Sequence, residues 1–214
     1  MGHAANVPLQ STLSTAARSR TIDEKPVIAV VLAAGAASRF GTTKQLARID
    51  DKTLVQHSVE LAREVCGDNT ILVTGYDSAA VAAAGMAARF LLVNDRYADG
   101  IGSSISAAAR ATSHAADAIL ILLADQPLIT ADHLRALRQN WSGADDEIVA
   151  TSFADTEGPP VLFPRATFES LTVLSGDKGA RSVLHDARFK LKTVEFQEAA
   201  VDIDTPEQLQ QLLD

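Results

Sequence analysis

The sequence predicts an α/β fold: a three-layer α/β/α arrangement around a doubly wound, mostly parallel sheet. Three observations carry that expectation. Apolar runs alternate with amphipathic segments from about residue 27 onward, the order that builds parallel strands joined by crossover helices. The first run, Val27–Leu32, is continuously apolar and stops abruptly at small residues, as a strand buried on both faces does. Alanine is abundant and aromatics make up only 5%, which suits close packing of helices on a sheet.

The elements follow in order. The strand at 27–32 leads into a turn-rich loop bracketed by Gly35 and Gly41. A helix is expected near 53–66, where Leu54, Val55, Val59, Leu61, Ala62 and Val65 share one broad face. Apolar runs predict strands at 70–74 and 90–93, with helical patterns near 77–87 and 103–115. The run at 118–123 predicts a buried strand, and Pro127 beyond it cannot continue a ladder. Leu134 and Leu137 sit three apart in a helix near 131–140. Strands at 147–151 and 160–163 precede helices near 165–172 and 178–187, and a last strand lies near 190–195. Thr205 reads as an N-cap and Pro206 as the first residue of a terminal helix near 205–213. No internal repeat or long linker interrupts residues 25–214, so they read as a single domain. Residues 1–24 are rich in Ser, Thr, Ala and Arg and lack apolar periodicity, so they read as a disordered N-terminal arm.

Composition narrows the function. Lys and Arg total 19 against 27 Asp and Glu, a net charge of −8, a poor match for nucleic acid or anionic lipid. No apolar stretch approaches the ~20 residues that span a membrane, and no secretory signal is visible; a cytoplasmic protein is expected. The single cysteine, Cys66, excludes an internal disulfide framework.

The loop after the first strand carries the chemistry. Small residues let backbone N–H groups approach an anion, and Arg39 and Lys44 supply opposite charge. The spacing is neither G-x-G-x-x-G nor the G-K-[ST] ending of a P-loop, and a tight turn with two surface cations is the bland alternative. Three loops, after residues 32, 93 and 123, fall on one edge of the expected sheet, where open α/β sheets bind ligands. The third carries Asp125. Near the C-terminus, Asp202 and Asp204 flank Ile203 on an extended segment. One of them could meet Asp125 to form a hard oxygen site suited to Mg²⁺; Asp204 is favoured, and Asp202 is balanced between metal and turn chemistry. Lys178 and Arg181 could bind an acceptor's anionic groups or merely solvate a helix face. The scattered histidines, His3, His57, His114, His133 and His185, read as packing or surface residues.

These residues carry a family resemblance. The chain resembles a nucleotidyltransferase of the molybdenum cofactor cytidylyltransferase type, a group with a Rossmann-like, nucleotide-diphospho-sugar transferase-like fold. The matching segments are L-A-A-G at 32–35, R-F-G-x-x-K-x-L at 39–46, N-x-x-x-x-x-G-x-x-x-S at 94–104, A-D-Q-P at 124–127, G-x-P-x-L-F at 158–163, G-D-K-G-A-R at 176–181 and D-I-D-T-P-E at 202–207. They occur in family order across nearly everything from residue 27 onward. The resemblance implies transfer of CMP from CTP to the molybdopterin-type cofactor, with release of pyrophosphate. It places Leu32, Ala33, Ala34 and Gly35 against the nucleotide and Arg39 and Lys44 on its phosphates. It puts Gly102 and Ser104 near base and ribose, and Asp125 and Asp204 on Mg²⁺. Arg39, Lys44 and Asp125 are the expected catalytic groups. A molybdenum enzyme could receive the product. The guanylyl branch usually shows glycine where Ala34 stands. Two positions depart from the family: Ala37, where serine is frequent, and Pro159, where histidine is frequent. Alternatives are another NTP, a sugar or alcohol phosphate as acceptor, or a non-catalytic carrier of the cofactor.

Overall fold

A computed structural model describes residues 25–36 and 39–213. The expected arm over residues 1–24, together with Ala37 and Ser38, lies outside the described residues. The strands are β1 (Val27–Ala33), β2 (Arg48–Ile49), β3 (Lys52–Thr53), β4 (Thr70–Thr74), β5 (Phe90–Val93), β6 (Ala118–Leu123), β7 (Glu147–Phe153), β8 (Thr156–Pro164) and β9 (Lys190–Glu195). The helices are α1 (Leu54–Cys66), α2 (Ser78–Ala84), α3 (Ile101–Thr112), α4 (Ala131–Asn140), α5 (Phe168–Thr172), α6 (Arg181–Leu184) and α7 (Pro206–Leu213).

Seven strands form one sheet in the order β5-β4-β1-β6-β8-β7-β9. All neighbours are parallel except β8, which is antiparallel to both β6 and β7. From β1 the chain steps outward through β4 to β5, then returns to the other side of β1 as β6. That reversal opens a crevice above the carboxyl ends of β1 and β6, where ligands bind in doubly wound sheets.

The period of two along β1 sorts its side chains onto two faces. Ala29, Val31 and Ala33 pack with Val55 and Val59 of α1 and with Leu134 and Leu137 of α4. Val30 and Leu32 pack with Ile105 and Ala108 of α3, and with Phe168 and Leu171 of α5. Both clusters are closed to water, so the expected three layers are observed. Thr53 starts α1 with a reciprocal cap: its side chain accepts from Gln56 N, and the Gln56 side chain accepts from Thr53 N. No described helix is long and apolar enough to cross a membrane.

The structure departs from expectation mainly in the second half. Strand 160–163 begins earlier, at Thr156, and runs back along β7 as a hairpin. The cause is local: Ala154 and Asp155 have φ of 44° and 58°, the paired left-handed conformation of a type I′ turn. The helix expected over 178–187 contracts to Arg181–Leu184, since Gly176 and Gly179 adopt φ of 75° and 57°, incompatible with a helix. The segment expected as helix 165–172 opens as a 3-10 turn, Arg165–Thr167. The hairpin of β2 and β3, turning at Asp50 with φ 52°, was not expected.

Candidate active site

The segment after β1 is shaped by two backbone anchors. Tyr76 N donates to Ala34 O at 3.1 Å, and Gln45 Nε2 donates to Gly35 O at 2.9 Å. Gln45 is only 5% exposed, so it ties the far end of the loop back to its start. The 3-10 turn Lys44–Leu46 then carries Lys44 inward rather than onto the surface.

Lys44 meets two carboxylates that are far apart in sequence. Its Nζ lies 2.7 Å from Asp125 Oδ2 and 2.8 Å from Asp204 Oδ1. Asp125 is held at the end of β6, where Ala124 N donates to Leu32 O at 3.1 Å. Asp204 is brought there by the buried Ile203, whose N–H donates to Asp125 O at 2.9 Å. One backbone bond therefore fixes the spacing of the two carboxylates. Arg39, largely exposed, reaches the other oxygen of Asp204 with Nη1 at 3.3 Å.

The electrostatics follow from this geometry. Burial opposes the charge on Lys44, but Asp125 and Asp204 outweigh it and hold the ammonium above the ordinary lysine value. The hydrogen bond from Lys44 lowers the Asp204 carboxyl below its ordinary range. Asp202, on the same segment, is raised: partial desolvation contributes most, then the negative charges of Asp125 and Asp204.

The cleft above β1 and β6 has a volume of about 630 Å³. Of the expected site residues, Leu32, Ala34, Gly35, Arg39, Lys44, Ser104, Asp125 and Asp204 line it. Ala33 and Gly102 do not. Ala33 points into the α1 layer and is 2% exposed. Gly102 lies under the segment before α6: a Cβ there would come within 2.8 Å of Ser175 backbone atoms, and its N–H donates to Gly176 O at 2.9 Å. Gly100, with φ 87°, is equally confined by Gly176 and Asp177. The N-x-x-x-x-x-G-x-x-x-S segment thus braces the wall. Asn94, 6% exposed, donates to both Ser103 Oγ and Ser104 Oγ at 2.9 Å.

Sequence reasoning missed several residues. Gln45, Tyr97, Ala98 and Asp177 line the cleft. Gln126, beside Asp125, donates to Ala199 O at 2.9 Å and Pro159 O at 3.2 Å. It joins the end of β6 to β8 and to the segment leading into Ile203. The signal for it lies in the A-D-Q-P block, where the glutamine follows the aspartate directly.

A second pocket of about 250 Å³ opens beside the first, sharing Leu32, Ile101, Leu123 and Asp177 with it. Ile105, Ile121, Val161, Phe163 and Leu184 wall it. Glu157, Lys178 and Arg181 stand among its lining residues. Lys178 and Arg181 are exposed and have no ion-pair partner among the described residues. His185 Nε2 stands 3.9 Å from Glu157.

The donors suit a divalent cation. Asp125 Oδ1 is buried with no hydrogen-bond partner, and Asp125 Oδ2 and Asp204 Oδ1 already share one positive charge. Two carboxylates with substrate phosphates and water are the usual setting for Mg²⁺, which rarely sits in an all-protein cage. No cluster of three or more His, Cys, Asp or Glu suited to a metal occurs among the described residues.

Comparison with known proteins gives a coherent result. Residues 29–194 match the model of the MobA-like NTP transferase domain. The chain is 31% identical to the purine catabolism protein PucB of Bacillus subtilis (strain 168), over 85% of this chain and 93% of that protein. It is 30% identical to nicotine blue oxidoreductase of Paenarthrobacter nicotinovorans, over 87% and 96%. It is 26% identical to the molybdenum cofactor cytidylyltransferase of Escherichia coli (strain K12), over 83% and 91%. Among solved structures, Rv0371c from Mycobacterium tuberculosis H37Rv superposes with a TM-score of 0.76 at 30% identity, over 88% of this chain and 98% of that one. A complex of Rv0371c with manganese matches at 0.70 and 28%, over 88% and 98%.

Proposed function

We propose that this chain, which belongs to the MobA-like NTP transferase family and is a nucleotidyltransferase, transfers CMP from CTP to a molybdopterin-type cofactor. The observation that carries the reading is the convergence of Asp125 and Asp204 on one cation at the mouth of the carboxyl-edge cleft. A carrier of the finished cofactor has no use for such a seat. Attack of one phosphate on another requires no protein nucleophile; positioning and charge neutralisation supply the catalysis.

The roles divide by position. Ala34 and Gly35 line the cleft and would lie beside the nucleotide, while Ser104, braced by Asn94, would face base and ribose. Asp125 and Asp204 would hold Mg²⁺, whose chemistry there would be to offset the charge of the triphosphate. Lys44 stands between those carboxylates, and its ammonium would turn onto the phosphates when the pair is engaged. Arg39, tethered only at 3.3 Å, is free to follow the leaving pyrophosphate. The apolar second pocket would take the acceptor's ring system, with Lys178 and Arg181 at its anionic groups.

Relatives named for purine catabolism and for nicotine blue chemistry make the acceptor the part to test first. The protein is incubated with Mg²⁺, each NTP in turn and isolated molybdopterin cofactor, and pyrophosphate is measured. Release with CTP and cofactor together is expected. Release with another NTP, or with a sugar phosphate in place of the cofactor, would replace the CTP–pterin assignment.

A further inference from the structure

The two edges of the sheet are built differently. β9 places Lys190, Lys192 and Glu195 along its length, and charged side chains on an edge discourage the addition of another strand. β5, at the opposite edge, is Phe90-Leu91-Leu92-Val93 and carries no charge. Phe90 is 55% exposed, Leu91 52% and Val93 47%, and Met86 beside them is 80% exposed. These are four of the seven large apolar side chains exposed among the described residues, gathered within eight positions of the chain.

We propose that β5 is the interface of a two-fold homodimer, in which β5 of one copy pairs antiparallel with β5 of a second and joins the two sheets edge to edge. An antiparallel strand paired with its own copy is self-complementary, as a closed two-fold contact requires.

The backbone limits the register. Asn94 N donates to Thr74 O at 2.7 Å, so by alternation the polar groups of Leu92 also face β4, while those of Leu91 and Val93 face outward. Outward groups meet outward groups only where a residue, rather than a peptide bond, lies on the two-fold axis. Charge then selects among those registers. With Leu92 on the axis, Leu91 stands opposite Val93 and Arg89 stands opposite Asp95 of the other copy. Arg89 and Asp95 are both exposed, and neither has an ion-pair partner among the described residues. Arg89 lies over the Phe90 ring at 5.9 Å, beside the open edge. In this register the two copies exchange hydrogen bonds at Leu91 and Val93, cover both apolar rows and close two ion pairs. One row over, with Leu91 on the axis, Arg89 faces Val93 and that complementarity is lost.

The test is sedimentation velocity of the full chain from about 1 to about 100 μM, the range in which a small strand-mediated interface dissociates. A concentration-dependent dimer is expected. Arg89→Glu sets like charges opposite each other, as does Asp95→Arg, and each should shift the midpoint at least about fivefold toward higher concentration. The double variant Arg89→Glu with Asp95→Arg should return it to the wild-type value. Leu91→Lys should give a monomer with an unchanged circular dichroism spectrum and melting temperature. A wild-type monomer throughout the range overturns the proposal, as it would if some other segment covered β5. A dimer that survives Leu91→Lys overturns it too, and single variants that the double fails to rescue overturn the register.

Discussion

The sheet's parallel half, β5-β4-β1-β6, and its mixed half, β8-β7-β9, serve the cleft by different means. In the parallel half every strand ends at the same edge, so the segments following β1, β5 and β6 converge there as a consequence of direction alone. These loops bring charge: Arg39, Lys44 and Asp125. In the mixed half the hairpin inverts β8, so its beginning, not its end, reaches that edge. Glu157, Gly158 and Pro159 therefore stand beside the second pocket, together with apolar side chains along β8 such as Val161 and Phe163. One half supplies fixed charge; the other supplies shape. Gln126 and the Ile203–Asp125 backbone bond lock the two together.

The largest effect should come from removing the charge at that junction. Asp125→Ala should reduce pyrophosphate release by at least about 10³-fold with an unchanged circular dichroism spectrum, because the Lys44 ammonium keeps Asp204 as a partner and no core side chain is lost. Full activity in this variant would place charge neutralisation elsewhere and dissolve the contrast between the halves.

Lys44→Ala comes next, with kcat lowered on the order of 10²–10³-fold. It carries a second, independent readout. The ammonium occupies the space between Asp125 and Asp204 at 2.7 and 2.8 Å, so its removal should tighten Mn²⁺ binding in the absence of nucleotide, measured by electron paramagnetic resonance. Unchanged kcat would remove Lys44 from the chemistry; unchanged Mn²⁺ affinity would mean the carboxylate pair is not the cation's seat.

A pH titration should expose the mixed half specifically. His133 on α4 is buried, stacks on Phe196 at 4.5 Å and contacts Thr151 of β7 at 2.8 Å. The Thr151 hydroxyl already donates to Pro160 O at 2.7 Å, so Nε2 of His133 is the donor in their contact. Burial lowers its pKa from 6.5 to about 4, partly countered by Glu198. Between those values the unfolded chain binds more protons than the folded one, so stability is full above pH 6.5 and falls as the pH drops toward 4. The loss should be of order 1–3 kcal/mol, read from urea unfolding at pH 7 and pH 4.5. His133→Gln should flatten that dependence. An identical slope in the variant would assign the acid loss to other groups.

The same division explains what the sequence disclosed. β1, β4, β5 and β6 are apolar runs whose direction is forced by intervening helices, so pattern alone placed Arg39, Lys44 and Asp125 at one edge. The D-I-D segment was legible as paired carboxylates, but the bond that seats Asp204 beside Asp125 belongs to Ile203 and has no signature in spacing. The full extent of β8 has no mark in the sequence because Ala154-Asp155 lacks the glycine that usually signals a type I′ turn. Gly102 packs against Ser175 and does not line the cleft, and glycines that serve close packing and glycines that serve a ligand look alike in a sequence. Gln45 and Gln126 have no signature for a related reason: a buried glutamine that holds backbone carbonyls outside its own element is defined only by the folded contacts.

The smallest effect tests whether the mixed half reads the acceptor at all. Lys178 and Arg181 stand at the second pocket without an ion-pair partner among the described residues. Exposed charges of this kind contribute modestly, so Arg181→Ala should raise KM for the acceptor about tenfold, some 1.4 kcal/mol, and Lys178→Ala somewhat less. KM for CTP should stay unchanged, because in the proposed arrangement the nucleotide's cations are Arg39 and Lys44, which line the other cleft. The separation of the two KM values matters more than the size of either change. A joint rise would mean that Gly176–Arg181 acts on the nucleotide through its packing against Gly100 and Gly102, where Gly102 N bonds Gly176 O at 2.9 Å. In that event charge and shape would not be divided between the halves, and the acceptor would have to be sought outside the pocket walled by Val161, Phe163 and Leu184.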